Sequence, residues 1–319
     1  MVFPERQAVS VKILLQKALF RAATVTRAAG NGMETTGQHP ITLVTACFDL
    51  GRKQVKYAGN PYPDWSRNFL PYVRWPLVIF CDEQSLDMLK EARGDKPAVW
   101  HVTRPQEFAV YKYWNLLKGL NKPYEGLSAE VSLVWHEKHN FLRHALSENL
   151  FDSEMIFWCD IGMFRFRRDA PWRSVIRMEL RFCGDVEWPN LQVCRELPQD
   201  KAVLLPYGNF DCPNFTGQFF GGAVNPARRW CDAYYRHLER RARQGTMIYS
   251  EEGMMESLYM KHPDLAWPLP PGIVPWLRPF AFLTRLAGKQ GYGHRWYFLS
   301  GRRFPWKHIC KGIFSGSGR

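Results

Sequence analysis

Three short apolar runs in this chain each stop at an aspartate. Ile41 to Phe48 is followed by Asp49, Pro76 to Cys81 by Asp82, and Met155 to Cys159 by Asp160. Runs of roughly 4–8 apolar residues between polar breaks read as buried strands. Amphipathic segments separate them. Tyr62 to Tyr72 carries Trp65, Phe69 and Leu70, and Ser85 to Arg93 carries Leu86 and Leu89 with Ser85 as its cap. Ser128 to Asn149 repeats Val131, Val134, Trp135, Leu142, Ala145 and Leu146 at helical spacing, with Ser128 as N-cap. Ala98 to Val102 supplies one more short strand. Strands alternating with helices imply βαβ units around a mostly parallel sheet. Ligands of open α/β sheets bind beyond the carboxyl ends of the strands. A single aspartate there is explained by turn formation; three in succession weaken that explanation and point to a shared acidic edge.

After Asp160 the pattern loosens. Val203 to Pro206 reads as a short strand, and Arg228 to Arg243 and Ser250 to Lys261 as helices. The stretch from Phe215 to Val224 holds Gly217, Gly221 and Gly222, which fits a bulge or tight turn, or a backbone that a ligand approaches closely. Its spacing is neither a dinucleotide-binding fingerprint nor a Walker loop. Pro268, Pro270, Pro271, Pro275 and Pro279 interrupt the apolar stretch Leu265 to Leu283 and rule out a regular membrane-spanning helix there. We expect a lead-in over residues 1–38, a single domain over 39–310 and a disordered tail over 311–319.

The net charge of the 319 residues is +13, and no acidic residue follows Asp264. That excess favours phosphorylated or other anionic partners, including an anionic membrane surface. No zinc-finger spacing, basic zipper or RNP-like pattern accompanies it, so nucleic acid is not an expected partner. The eight cysteines are scattered without CxxC pairs, which argues against a zinc site or disulfide framework and favours a reducing compartment. No secretory signal is apparent. We expect a cytoplasmic protein, peripheral at a membrane.

Several residues carry candidate chemistry. Asp160 lies at a strand end where a carboxylate meets a metal, ribose or sugar hydroxyl. Glu251 and Glu252 follow Ser250, a placement that helix capping and the helix dipole already explain; a carboxylate there also serves as a base. His136, Glu137, Lys138, His139 and His144 share one helix without HExxH spacing. They read as a solvated face, with Lys138 the one phosphate contact. His294, ahead of Pro305-Trp306, loosely resembles a late metal-binding element of some retaining glycosyltransferases.

Taken in order, these segments resemble the HtrL/YibB-like family of glycosyltransferase-like proteins. The matching elements are Thr42 to Arg52, Pro76 to Asp82, Val134 to Lys138, Phe157 to Arg165 and Phe219 to Gly222. The resemblance covers roughly residues 41 to 262. It implies an α/β fold, a GT-A-like, Rossmann-type sandwich with a mostly parallel central sheet. The implied function is transfer of a sugar from a nucleotide diphosphate donor to a hydroxyl of a surface or capsular glycan. In such enzymes Asp-x-Asp holds a divalent cation, Mn²⁺ or Mg²⁺, that neutralises the departing diphosphate. Here Asp160-Ile161-Gly162 has one carboxylate, so a second ligand comes from elsewhere (His294 is one candidate) or Lys and Arg replace the metal. On this reading Asp82 contacts the nucleoside, with Asp49 on the same edge, and Asp160 contacts ribose, sugar or metal beside Gly162. Gly221 and Gly222 admit a sugar, Glu251 or Glu252 faces the reacting centre, and Lys138 and Arg165 balance the diphosphate. The alternative is a non-catalytic glycan- or membrane-surface-binding protein on the same fold.

Overall fold

A computed structural model of the protein describes residues 39–50, 62–120, 128–164, 189, 191–206 and 215–269. Arg165, His294, the lead-in, the tail and the basic terminal segment lie outside them. Seven strands form one mixed sheet in the order β3-β2-β1-β4-β6-β5-β7. They are β1 (Ile41–Cys47), β2 (Leu77–Cys81), β3 (Ala98–Val102), β4 (Met155–Cys159), β5 (Ala202–Pro206), β6 (Phe215–Ala223) and β7 (Ala266–Pro268). β1 pairs in parallel with β2 and β4, and β2 in parallel with β3. Among the described strands, β6 alone runs antiparallel, between β4 and β5. The arrangement is α/β and compatible with a Rossmann-like fold.

The helices are α1 (Tyr62–Phe69), α2 (Glu83–Arg93), α3 (Trp114–Gly119), α4 (Ala129–Glu148), α5 (Leu191–Arg195), α6 (Val224–Arg243) and α7 (Glu251–Tyr259). They cover both faces of the sheet, so the strands can be apolar throughout rather than alternating. Side chains of successive strand residues still point to opposite faces. Leu43, Ile79, Phe157 and Phe219 face a core closed by α1, α2 and α5. Val44, Phe80, Trp158 and Phe220 face a second core closed by α4, α6 and α7. None of the described helices is long and apolar enough to cross a membrane.

Local chemistry revises some boundaries. Asp82, not Ser85, caps α2: its Oδ1 accepts the Ser85 N–H at 2.7 Å, and the helix begins at Glu83. Ser128 sits in the N-cap position of α4 but makes no side-chain capping bond. The glycine-bearing stretch is neither turn nor ligand loop but the nine-residue strand β6. Gly221 has a φ of 145°, and a Cβ there would stand 2.4 Å from the Ile156 carbonyl oxygen. Glycine is required because β4 passes so closely.

Candidate functional site

Because β1, β2 and β4 are parallel neighbours, Asp49, Asp82 and Asp160 do lie along one sheet edge. The strand order reverses between β1 and β4: the chain leaves β1 toward β2 and β3 and returns on its other side. Such a switch point opens a crevice at the carboxyl edge. Asp49 and Asp82 are linked, with the Asp49 N–H donating to Asp82 Oδ2. Asp82 therefore ties the ends of two strands while capping α2, and both its oxygens take part.

Asp160 belongs to a denser group. Lys138, from the middle of α4, donates to Asp160 Oδ2 at 3.0 Å, to Glu251 Oε1 at 2.7 Å and to the Gly217 carbonyl at 3.3 Å. An ammonium has three N–H donors, and all three are engaged inside the protein. The other Asp160 oxygen, Oδ1, accepts the Gly162 N–H at 3.0 Å. Glu252 Oε1 accepts the Gly217 N–H at 3.2 Å. The side chains of Lys138 and Glu251 are only 5% and 4% exposed, against 29% for Asp160. Glu252 is exposed. The group thus has a buried base of Lys138 and Glu251 and an open rim of Asp160 and Glu252.

Each member is placed by its local sequence. β4 ends at Asp160 and turns into a short 3-10 segment, Ile161–Phe164. Ser250 caps α7 by accepting the Gly253 N–H, which puts Glu251 and Glu252 into the first turn, where the helix dipole favours acids. β6, being reversed, brings its first residues to the carboxyl end of β4, and the Asp160 N–H donates to the Gln218 carbonyl. Gly217 leaves the necessary space: a Cβ there would stand 2.1 Å from Glu251 Oε1.

Burial works to lower the Lys138 pKa, but Asp160 and Glu251 outweigh it and hold the ammonium above lysine's ordinary range. For Glu251, burial pushes the carboxyl up, Lys138 pulls it back and Glu252 pushes it up again; the net direction is upward. The two directions have different leading causes: the acids raise Lys138 against its burial, and burial raises Glu251 against the pull of Lys138.

The expectation of a solvated His-Glu-Lys-His face is overturned. His136, Glu137, Lys138 and His139 are all buried, because α4 packs on the sheet and is itself covered by α6 and α7. The His136 ring bonds the Ile248 carbonyl at 3.0 Å and the Tyr234 hydroxyl at 2.6 Å. Glu137 faces away from the acidic group and accepts the N–H groups of Ala109 and Val110; burial pushes its pKa up to about 7. Lys138 organises carboxylates, and its donors are not open to a diphosphate. Gly221 and Gly222 are also corrected: they are buried opposite Phe157 and Ile156 in mid-sheet, roughly 13 Å along β6 from Gly217 by strand rise. Gly162 is at the site, where a Cβ would stand 3.0 Å from the Trp65 ring.

Gly217 was not singled out as a site residue in the sequence. Its only signal was membership of the glycine run. A divalent cation bridging Asp160 and Glu251 does not fit this arrangement, since the Lys138 ammonium stands between those carboxylates. No family model matches the chain, and no curated protein matches it either.

Proposed function

We propose that this protein is a glycosyltransferase on a GT-A-like fold, moving a sugar from a nucleotide diphosphate donor to a hydroxyl of a surface or capsular glycan. The resemblance to the HtrL/YibB-like family motivates the substrate class. The observation that carries the reading is the acidic group at the switch-point edge, Asp160 and Glu252 open to solvent above the buried pair of Lys138 and Glu251. Perturbed titratable groups concentrated in a crevice are a mark of functional sites.

In this proposal Asp160 accepts hydrogen bonds from donor hydroxyls. Lys138 and the Gly162 N–H hold its carboxylate in one orientation, which lowers the reorganisation needed on binding. Glu252, exposed beside Gly217, takes the proton from the acceptor hydroxyl. Glu251 and Lys138 are positioning residues. The diphosphate's charge is met by Lys and Arg outside the buried pair, in keeping with the chain's basic excess.

The test is a panel of nucleotide diphosphate sugars, assayed with and without Mn²⁺ or Mg²⁺, following melting temperature and donor hydrolysis. A cognate donor raises the melting temperature by mass action. The absence of any shift and any hydrolysis across the panel overturns the reading. Asp160→Asn should reduce turnover at least about 100-fold, about 2.7 kcal/mol of lost transition-state stabilisation; full activity removes Asp160 from the site.

A second reading has one specific observation in its favour. With an ammonium lodged between Asp160 and Glu251, the fold suits a non-catalytic glycan- or membrane-surface-binding protein that has replaced a metal by an internal ion pair. Glycan or anionic-vesicle binding without donor binding would select it.

A further inference from the structure

A second cluster lies at the C-terminal end of α4, and the proposed transferase reading does not involve it. His144 and Glu148 are four residues apart, hence on one helix face. β3, the edge strand, lays His101 against them. The ligand-capable atoms of His101, His144 and Glu148 all lie within 4.8 Å of one another. His144 Nε2 stands 3.4 Å from Glu148 Oε2, and His101 Nε2 stands 3.8 Å from the same oxygen. We infer that His101, His144 and Glu148 form a binding site for a borderline divalent transition-metal ion such as Zn²⁺.

The geometry is close to what such an ion needs. Zinc bonds of about 2.0–2.2 Å in tetrahedral arrangement set ligand separations of about 3.3–3.6 Å. The His144–Glu148 edge already matches, the His101–Glu148 edge nearly so, and the two imidazoles present ligand atoms within 4.8 Å of each other. Both rings are held in place beforehand. His101 stacks on Phe80 with centroids 4.7 Å apart, and meets His144 edge-on at 4.8 Å. The His101 Nε2 atom is buried and makes no hydrogen bond among the described residues, although it points into the cluster. A buried polar nitrogen left this way calls for an explanation, and a ligated ion supplies one.

The electronic state also suits ligation, which requires neutral imidazole. Burial, with the neighbouring His144, pushes His101 down to about 4, and burial lowers His144 as well. Two imidazole nitrogens and one carboxylate favour Zn²⁺, Co²⁺, Ni²⁺ or Cu²⁺ over Mg²⁺ and Ca²⁺, which prefer all-oxygen shells. Glu148 is 35% exposed, so an ion can enter and water can complete the coordination. The site is separate from the acidic group: Lys138 and Glu148 are ten residues apart, roughly 15 Å along the helix. A bound ion would pin the edge strand to the last turn of α4.

The experiment uses the full chain, stripped with a chelator and dialysed. Zn²⁺ is titrated by calorimetry, and Co²⁺ by visible absorption, which reports coordination geometry. The expected result is one equivalent bound and a raised melting temperature, with Mg²⁺ and Ca²⁺ inert. Glu148→Gln, at a partly exposed position where folding is tolerant, should weaken binding at least tenfold. His101→Phe, which keeps the ring stack on Phe80, should do the same. Failure of both Zn²⁺ and Co²⁺ to bind stoichiometrically overturns the inference, as does unchanged affinity in both variants, which would assign the ion to other residues.

Discussion

Among the described residues the protein buries two cations, Arg93 and Lys138, and answers them differently. Arg93, in the last turn of α2, donates to the carbonyl oxygens of Leu70, Val73, Trp75 and Pro97 at 2.7–2.9 Å. It closes the corner between α1 and β2 by tying four backbone acceptors to one guanidinium. Lys138 is answered by charge, from Asp160 and Glu251. A guanidinium among fixed dipoles makes a joint. An ammonium among several carboxylates makes an electrostatic group in which burial, and after it the neighbouring Glu252, push Glu251 up against the pull of Lys138. The second arrangement is poor economy for folding alone, since buried ion pairs seldom outperform apolar packing. Its location at the switch-point edge is in keeping with the role proposed for it.

The comparison breaks hardest at Lys138. Lys138→Met leaves Asp160 and Glu251 without their cation and should destabilise the fold by about 3–5 kcal/mol at neutral pH, the usual range for orphaning a buried charge. The loss should shrink as pH falls, because the released carboxyls can then take protons. Adding Glu251→Gln should recover part of the stability, and chemical denaturation of both variants across pH checks this. Equal losses at every pH would mean that the cation's packing, not its charge, matters. Arg93→Met should cost about 2–4 kcal/mol by leaving carbonyls without donors. It should leave donor binding in the surviving folded protein unchanged, because Arg93 holds carbonyls at the α1–β2 corner, whereas the acidic group is built from α4, β4, β6 and α7. Gly217→Ala removes no charge at all, yet its Cβ would drive into Glu251. About 1–3 kcal/mol of overpacking is expected, together with weaker donor binding. An unaffected donor titration would separate Glu251 from the site.

The difference between the two cations also marks what could be read in advance. β1, β2 and β4 were legible because strands covered on both faces are continuous apolar runs, and the acids that end them stand out. Glu251 and Glu252 were legible through the Ser250 cap. The burial of Lys138 was not, because its partners arrive from β4 and α7, more than 20 and 110 residues along the chain. Helical periodicity reports one covered face, whereas α4 is covered on two, so its polar residues 136–139 passed for solvent-facing. β6 was missed for a similar reason. Gly221 answers the close passage of β4 and Gly217 the close approach of Glu251, tertiary demands that look like a turn when only local sequence is considered.

The smallest effect tests the neutral side of this core. His139 is clamped between Phe220 and Tyr234, with ring centroids at 4.4 and 3.6 Å, and neither ring nitrogen has a hydrogen-bond partner among the described residues. Burial, helped by His136 and Lys138, holds its pKa well below the ordinary histidine value. The folded state therefore keeps His139 neutral while the unfolded chain protonates below about 6.5. The sign follows: the unfolded state binds the extra proton, so stability is full above about pH 6.5 and falls as pH drops. One proton corresponds to about 1.4 kcal/mol per pH unit. His139→Phe preserves the stack and removes that proton. Its unfolding free energy should be close to wild type at pH 7.5, and its slope between pH 6.5 and 4.5 should be shallower by about one proton. An unchanged slope would mean that His139 is charged in the folded protein, and that the cluster around Lys138 tolerates a second buried cation beside it.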